Sequence, residues 1–430
     1  MTLLLSAIFG DAVKKTGVQS VLFSWTDLFG VMRSKLVPVS KADAMSKSGA
    51  GFAGHAAHLD YPPSSGDVLA IPDPSSLIVL PWNHKIAWVA CDLFMKEEPL
   101  EQCPRLALKR SMKRVKEETK LTMKTGVELE FHLLSPDDPR KLADASDRSK
   151  KPCYSIEPLM QQKDFIVDMQ QYMESLGWNP YQADHEDSIG QFEINWEYDD
   201  ALVTADRHAF FKWMAKEVAK KHGMRVTFMP KPFTNLTGNS AHVHITMHEE
   251  DGSNAFKARG SNGGVLGLSE IGLHFCGGLL ETAQDICCFT NPTINSFKRI
   301  NAPPPSSGSS WSPSSISWTG NNRTHMIRVP DAPRLEVRLP DSSSNPYLMP
   351  AALLLAGLMS NVYDNVQEQK KMRQLPLNLL DALRNLEQNE TLQSDMGKEL
   401  CRGYIKLRME QWQEYSRSMT AWELENTMDV

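Results

Sequence analysis

Three short segments of the chain alternate apolar residues with charged or histidine residues. Because successive side chains of a β-strand point to opposite faces, each segment is predicted to form a strand with one apolar and one polar face. Any one of these patterns would also fit a strand with one face exposed to solvent, but the polar face of such a strand would more often mix Lys, Thr, Ser and Gln. The repeated pattern instead favours one shared functional site. The segments are GVELEF with Glu128 and Glu130, NSAHVHIT with His242 and His244, and RLEVRLP with Arg334, Glu336 and Arg338.

Two further glutamates, Glu186 and Glu193, flank a Gly-Gln turn in the segment DHEDSIGQFEINW. Together with Glu128, Glu130 and His242 they supply several oxygen ligands and one imidazole. Such a set suits Mg²⁺ or Mn²⁺ better than a thiolate-rich zinc or iron site. The sequence therefore predicts a site for divalent cations.

Five arginines follow in the stretch from 299 to 338. Any one of them is most simply a surface charge, but guanidinium groups beside a carboxylate metal site are typical of phosphoryl transfer. The chain has no GxxxxGK[ST] motif and no kinase-type Gly-rich loop, so bound ATP requires a different architecture. The five are Arg299, Arg323, Arg328, Arg334 and Arg338.

Composition narrows the class of protein. With 430 residues, 41% apolar and 23% charged, the chain has the make-up of a globular protein of roughly two to four domains. A formal charge of −6 argues against a nucleic-acid partner. The longest apolar stretch, Met349–Met359, is shorter than the roughly 20 residues of a membrane-spanning helix. Seven cysteines without a CxxC pair predict reduced thiols and a cytoplasmic location.

The expected secondary structure divides the chain near residue 103. Before it, Ser20–Ser24 and Ile86–Leu93 are predicted strands, with Gly-, Pro- and Ser-rich loops from Gly49 to Ser76. After it, a helix is predicted over Arg114–Lys120 and a strand over Thr125–Leu134. Further helices with core-facing spacing are predicted around Asp206–His222, Ser269–Asp285 and Pro350–Gln367.

The chain resembles the glutamine synthetase superfamily in the order and spacing of its motifs, which are GVELEF, HEDSIGQFEINW, TFMPKPF, HVHIT, NPTINSFKRI, NNRTHMIRVP and RLEVRLPDSSSNPYLMPAALLLAGL. KKPCY at 150–154 and the ending WELENTM are similar to the branch of type III glutamate–ammonia ligases and γ-glutamylmethylamide synthetases. The resemblance implies an α+β fold. A small N-terminal β-grasp domain, residues 1–103, would precede a catalytic domain, residues 104–430, in which helices back an antiparallel half-barrel sheet.

The resemblance also implies an ATP-dependent ligase that phosphorylates the γ-carboxylate of glutamate and lets an amine attack the γ-glutamyl phosphate. Two or more Mg²⁺ or Mn²⁺ ions are implied, one held by Glu130, Glu186 and Glu193 and another by Glu128, His242 and Glu336. Glutamate binding is implied for Gly238, Arg299 and Arg338, and catalytic roles for Arg299, Arg323 and Trp311. Nucleotide or phosphate binding is implied for His244, Thr246, Arg323, Arg328 and Arg334. The family further implies a homododecamer of two hexameric rings with active sites between subunits.

Two positions depart from glutamine synthetases proper, which bind ammonium with an Asp in an FDGSS segment and a Glu in a GYEAP segment. The segments here are GAGFAG and SGSSWSPSS, with Ala53 and Trp311 in place of the acids. Losing both charges penalises ammonium, since one unit charge at about 4 Å contributes roughly 4 kcal/mol at an effective dielectric of 20. An indole instead attracts an alkylammonium by about 0.5–2 kcal/mol. These departures predict a γ-glutamylalkylamide synthetase acting on methylamine or ethylamine.

Two other hypotheses stay open. The first is an ordinary glutamine synthetase, which could build its ammonium site from other acids, such as Asp60 or Asp184. The second is a structural relative without catalytic activity, and the six intact metal-ligand positions argue against it. Thr237-Gly238 replaces the family's Asn-Gly in the glutamate loop, which leaves its contact to the α-amino group open. The segment from Gln367 to Pro376 lacks the Asn-Leu-Tyr-Asp-Leu motif of adenylylated members, so regulation by that modification is not expected.

Overall fold

The computed structural model describes residues 2–259, 264–330, 333–359 and 373–430. The helices are α1 Thr2–Lys15, α2 Val39–Ser48, α3 Pro104–Thr119, α4 Ile156–Gln161, α5 Lys163–Ser175, α6 Ala201–Lys221, α7 Glu270–Glu281, α8 Ala283–Thr290, α9 Ser296–Ile300, α10 Leu348–Leu358, α11 Leu379–Gln388, α12 Glu390–Met396, α13 Lys398–Arg417 and α14 Ala421–Thr427. The strands are β1 Ser20–Thr26, β2 Met32–Pro38, β3 Ala50–Phe52, β4 Val68–Pro72, β5 Ile78–Val79, β6 Ile86–Met95, β7 Glu98–Pro99, β8 Thr122–Leu134, β9 Pro180–His185, β10 Gln191–Trp196, β11 Asp199–Asp200, β12 Arg225–Thr227, β13 Ala241–His248, β14 Ser315–Ile316, β15 Trp318–Thr319, β16 Ile327–Arg328, β17 Leu335–Val337 and β18 Arg373–Gln374.

The N-terminal sheet has seven strands in the order β2-β1-β6-β4-β3, with β5 and β7 paired to β6. The two predicted strands are confirmed as β1 and β6, which run parallel to each other, and the other pairs are antiparallel. Helix α1 packs on this sheet through Phe9, whose ring lies 5.9 Å from that of Phe23. This mixed sheet is the expected β-grasp unit. The prediction of loops from Gly49 to Ser76 was wrong in part, because Val68 and Ala70 are buried in β4, next to β3.

The second sheet has nine strands in the order β15-β16-β17-β13-β8-β10-β9, with β11 and β12 paired to β8. All pairs are antiparallel except β15 with β16. The register places Glu128 opposite His242, and Glu130 opposite Glu193. The three predicted amphipathic strands are therefore confirmed as neighbours, in the order β17-β13-β8.

Helices cover the apolar face of this second sheet. In β8, Val127, Leu129 and Phe131 are at most 7% exposed. The ring of Phe131 lies 6.0 Å from Phe165 in α5 and 6.3 Å from Phe211 in α6. Burying a side chain of this size contributes about 1.5–3 kcal/mol. The opposite face is left for the polar residues, and the predicted α+β half-barrel backed by helices is confirmed.

The predicted helices are present with shifted ends. Helix α6 begins before the predicted Asp206, because the side chain of Asp200 caps its first turn. The stretch Ser269–Asp285 is predicted as one helix but forms α7 and α8, which meet at Thr282, whose hydroxyl donates back into α7. The helix predicted over Pro350–Gln367 is confirmed as far as the end of α10. Residues 360–372, which include most of the segment without the adenylylation motif, lie outside the described part of the chain.

Helix α3 joins the two halves through the buried Arg105, which is 2% exposed. Its guanidinium donates to both oxygens of Asp206 in α6, at 2.9 and 2.8 Å, and to Asp73 and Asp92 of the N-terminal half, at 3.0 and 2.9 Å. The domain boundary predicted near residue 103 falls between the last strand of one sheet and the first strand of the other, and it stays a prediction. Within the described ranges, no helix has the length and apolar character that a membrane crossing requires.

Candidate active site

The polar face of the second sheet forms the wall of a cavity of about 830 Å³, here called the first cavity. Strands β8, β9, β10, β13 and β17 all contribute side chains or flanking residues to it, so the sheet curves around it. Residues from the loops at 151–154, 307–311 and 321–323 complete the lining. The predicted site residues that line this cavity are Glu128, Glu130, Glu186, Glu193, His242, Trp311, Arg323, Arg328, Glu336 and Arg338.

Glu130, Glu186 and Glu193 form a carboxylate cluster, with one oxygen of each within 4.8 Å of the other two. Glu130 and Glu193 are 6% and 5% exposed. Burial, followed by the negative charges of Glu130 and Asp184, raises the pKa of Glu186 to about 8. Burial, followed by the charges of Glu128 and Glu186, also raises the pKa of Glu193. These groups repel one another in a buried place, which is the condition that a bound divalent cation relieves.

Glu128, His242 and Glu336, predicted as the second metal set, lie beside this cluster in a different grouping. Glu128 belongs to two groups of three residues whose ligand atoms all lie within 4.8 Å of one another. One group contains Glu193 and His242, and the other contains His244 and Glu336. The Nδ1 of His242 lies 3.5 Å from Glu128 Oε2, while its buried Nε2 has no hydrogen-bond partner among the residues that the structure describes. A buried ring nitrogen without a partner is rare, and metal ligation satisfies it. The donor set thus fits the divalent cations that the resemblance implies.

Hydrogen bonds from neighbouring groups fix the carboxylates. Gln191 Nε2 and the Ser240 backbone N–H donate to Glu130 Oε2, at 3.0 and 2.7 Å. Asn195 Nδ2 donates to Glu193 Oε1 at 2.9 Å. Sequence analysis missed Gln191 and Asn195, although each lies two residues from Glu193 and shares its face of β10. The period of two that identified the glutamates would have found them.

Three of the five arginines border the first cavity. Arg328 and Arg338 both donate to Glu336, Arg338 at 2.5 Å to Oε1. Burial alone would raise the pKa of Glu336, but the charges of His242 and Arg338 hold it below its usual value. Arg323 is exposed, and its side chain borders the same cavity. The first cavity therefore combines a carboxylate cluster with guanidinium groups.

Arg299 and Gly238 lie behind the cavity wall. Arg299 is 1% exposed, and its guanidinium donates to Ser240 Oγ at 2.6 Å and to Arg338 O at 3.2 Å. A Cβ at Gly238 would lie 2.3 Å from Pro230 O, so close backbone packing requires glycine there. Arg299 thus contacts the backbone of Arg338, just after β17, and neither Arg299 nor Gly238 is among the described residues that line the first cavity. The contact with glutamate that the resemblance implies stays a prediction.

A second cavity, of about 360 Å³, shares Glu128 with the first. Of the predicted nucleotide-binding residues, His244, Thr246 and Arg334 line it, whereas Arg323 and Arg328 line the first cavity. Arg334 Nε donates to His244 Nδ1 at 3.0 Å, so His244 carries its proton on Nε2 and donates to Glu128 Oε1 at 2.8 Å. Sequence analysis missed the aromatic residues that also line this cavity, which are Tyr181, Trp196 and Tyr198.

Trp311 lies at the first cavity, where the resemblance places it, and is 38% exposed. Ala53 is exposed on the N-terminal half and does not line the cavity of its own chain. Of the acids named for an alternative ammonium site, Asp184 lines the first cavity, whereas Asp60 does not line it and pairs with Lys406 at 2.6 Å.

Comparison with known proteins gives the family. The model of the glutamine synthetase catalytic domain matches residues 101–427. The chain belongs to the glutamine synthetase family. Members of this family are ATP-dependent ligases that use divalent metal ions.

Relatives in the glutamine synthetase family carry two different activities in their names. A glutamine synthetase of Rhizobium meliloti (strain 1021) is 48% identical over 97% of this chain and 98% of its own length. A glutamate–methylamine ligase of Methyloversatilis universalis is 35% identical over 97% and 98%. A solved structure described as a GmaS/ADP complex is 47% identical, covers 98% of this chain and 99% of its own, and superposes with a TM-score of 0.91.

Proposed function

We propose that the chain is an ATP-dependent ligase that joins a primary alkylamine, methylamine or ethylamine, to the γ-carboxylate of glutamate. The observation that carries this proposal is the position of Trp311 at the cavity that holds the Glu130–Glu186–Glu193 cluster. An indole attracts an alkylammonium over its face and covers the alkyl group with apolar surface. A carboxylate in the same place would favour bare ammonium, because it accepts a hydrogen bond from the N–H that an alkylamine replaces with its alkyl group.

In this proposal glutamate binds in the first cavity and ATP in the second. Glu128 borders both cavities, so the γ-carboxylate of glutamate and the γ-phosphate of ATP meet beside it. The aromatic walls of the second cavity suit a purine base, and Lys124 and Arg334 suit its phosphates. Divalent cations held by the predicted glutamates and His242 would neutralise the phosphate oxygens, which is the chemistry they supply when bound.

The cavity arginines bind the acidic groups of the substrates in this proposal. Arg328 and Arg338 both donate to Glu336, which lowers the cost of ordering their side chains for a substrate. Arg323, being exposed, can meet the transferred phosphate. Arg299 acts as a positioning residue, through its contact with the backbone of Arg338.

The proposed reaction has two steps. A γ-carboxylate oxygen of glutamate attacks the γ-phosphorus of ATP, and ADP leaves with the electrons of the broken P–O bond. The bound alkylammonium then loses a proton, and its nitrogen attacks the carbonyl carbon of the γ-glutamyl phosphate. The C–N bond forms, phosphate leaves with the electrons of the broken C–O bond, and the nitrogen loses a second proton. The apolar ring of Trp311 favours the alkylamine over water as the nucleophile.

An ordinary glutamine synthetase using ammonium is the second candidate. It is favoured by Asp184, which lines the same cavity and supplies a negative charge, and by the name of the 48% identical relative. The methylamine ligase relative and the GmaS structure favour the first candidate. A catalytically silent relative is opposed by the six intact metal-ligand positions, all of which lie at one cavity.

An amine panel tests the choice between the two activities. With glutamate, ATP and Mg²⁺ or Mn²⁺, methylamine or ethylamine should release ADP with a kcat/KM about tenfold or more above that of ammonium at equal free-base concentration. An acid that is missing here would accept a hydrogen bond from the fourth N–H of ammonium, worth roughly 2 kcal/mol, and the indole adds about 1 kcal/mol of apolar contact with the alkyl group, so tenfold is the lower bound. Isopropylamine and a polyamine, assayed by the same coupled ADP assay, define the size limit. Faster ADP release with ammonium would instead support the ordinary glutamine synthetase. If no amine increased ADP release, the chain would be a relative without catalytic activity.

We also propose the homododecamer with shared active sites and the cytoplasmic location. The exposed position of Ala53, outside the cavity of its own chain, supports a site completed by a neighbouring subunit. All seven cysteines are free and six of them are buried, which supports reduced thiols in a cytoplasmic protein.

A further inference from the structure

A third cavity, of about 680 Å³, lies between the N-terminal sheet and the catalytic half. Residues of β1 and β2 form one wall, and residues of α6 and β12 form the other. It shares no described lining residue with the two cavities of the candidate active site. Its volume falls within the roughly 300–1,000 Å³ of small-molecule sites.

The charge of this third cavity is one-sided, because two lysines and no acidic residue appear among its described lining residues. Lys212 and Lys216 are four residues apart on α6, so they lie on the same face of the helix. The Nζ of Lys212 donates to Ser342 O at 2.8 Å, and neither lysine forms an ion pair within the described ranges. Burial, followed by the charge of Lys216, lowers the pKa of Lys212 to about 7. A counter-charge in the cavity would stabilise both ammonium groups.

Two buried hydrogen-bond donors also lack partners at this cavity. Ser24 and Trp88 are 2% and 1% exposed and both line the cavity. Within the described part of the chain, neither Ser24 Oγ nor Trp88 Nε1 has a hydrogen-bond partner. Buried donors in folded proteins nearly always have an acceptor. Both atoms are buried beneath the cavity lining, so the ammonium groups of α6 remain the charged donors that a ligand can contact. The remaining wall is largely apolar and includes the rings of Phe29, Trp213 and Phe228.

We propose that this cavity is a second ligand site, which binds an organic anion with an aromatic or otherwise apolar body. Its anionic group accepts hydrogen bonds from Lys212 and Lys216, and its body lies against the aromatic wall. The site is independent of the proposed active site, and its ligand is not a substrate. Met229 and Pro230 line it as well, and Pro230 O accepts from the N–H of Asn239 at 2.8 Å.

Equilibrium dialysis of the full chain against 2-naphthoate tests the site, with uncharged 2-naphthamide as the isosteric control. The anion should bind about tenfold or more tightly than the amide, because charge-assisted hydrogen bonds are about twice as strong as neutral ones. Saturating glutamate, ATP and Mg²⁺ should leave its affinity unchanged. Absence of binding, equal affinity for the amide, or displacement by the substrates would each overturn the proposal.

Two lysine variants locate the bound anion. Lys216→Met keeps an aliphatic side chain and removes an exposed charge, so it should weaken 2-naphthoate binding about tenfold. Lys212→Met should also weaken the binding. Lys220→Met is the matched control on the same helix, since Lys220 pairs with Glu217 at 2.7 Å and does not line the cavity. Wild-type affinity in the Lys216 variant, or an equal loss in the Lys220 variant, would show that the anion binds elsewhere.

Discussion

Replacing Glu193 by Gln should lower the rate of ADP release, at saturating glutamate, amine and ATP, by about 10³-fold or more. Glu193 belongs to two candidate metal groups, one with Glu130 and Glu186 and one with Glu128 and His242. A single substitution therefore weakens both cation positions. Metal stabilisation of a transferred phosphoryl group is worth several kcal/mol, and about 4 kcal/mol corresponds to a 10³-fold change in rate.

The same Glu193→Gln variant separates a loss of chemistry from a loss of fold. Since Glu193 is buried among like charges, the neutral amide should leave the metal-free protein at least as stable as the wild type. Thermal unfolding with and without Mn²⁺ should show a metal-dependent gain in the wild type and little gain in the variant. Glu174→Gln, at an exposed position of α5, is the control that should change neither quantity. Wild-type turnover in Glu193→Gln would exclude this cluster as the cation site.

Replacing Trp311 by Glu should lower the preference for methylamine over ammonium by about a hundredfold. Both amines carry one positive charge when protonated, so the preference changes only through the methyl group. A carboxylate accepts a hydrogen bond from the fourth N–H of ammonium, which methylamine lacks, and this contributes roughly 2 kcal/mol at the 38% exposed position; the loss of the indole removes about 1 kcal/mol of apolar contact with the methyl group. Together these correspond to about a hundredfold in the ratio of the two kcat/KM values. The measurement is the ratio of kcat/KM for the two amines, because an effect on folding or on ATP binding cancels in it.

Trp311→Ala divides this change into its two causes. Because the indole covers the methyl group, this variant should lower kcat/KM for methylamine about fivefold to tenfold. The kcat/KM for ammonium, which has no methyl group, should stay within about twofold of the wild-type value. Trp422→Ala is the matched control, since Trp422 is 65% exposed on α14 and lines none of the three cavities described above. Equal losses with both amines in Trp311→Ala would contradict the assignment of Trp311 to the amine site.

The strands of the candidate site could be predicted because a period of two is a local property of the sequence. Glu128 and Glu130 required only their neighbours to be placed on one face of β8. The residues that lie opposite them on the neighbouring strands could not be predicted in the same way. The register that sets Glu128 opposite His242 depends on pairing between segments far apart in the chain, and the sequence carries no local signal for it.

The roles of individual side chains could not be predicted where they depend on burial in the tertiary structure. Arg299 has the residue type of a substrate-binding group, but its guanidinium is enclosed by Ser240 and the backbone of Arg338, which only the tertiary structure shows. The third cavity was likewise invisible in the sequence. Its Ser24, Trp88 and Lys212 come from three separate segments with no shared motif, and packing alone brings them together.

The choice of amine distinguishes the proposed ligase from an ordinary glutamine synthetase most directly. In one reaction, methylamine and ammonium at equal free-base concentration compete for limiting glutamate with ATP and Mg²⁺, and mass spectrometry measures the ratio of γ-glutamylmethylamide to glutamine. This ratio equals the ratio of the two kcat/KM values. A product ratio of about ten or more in favour of the methylamide is predicted, and glutamine as the main product would contradict the proposed function.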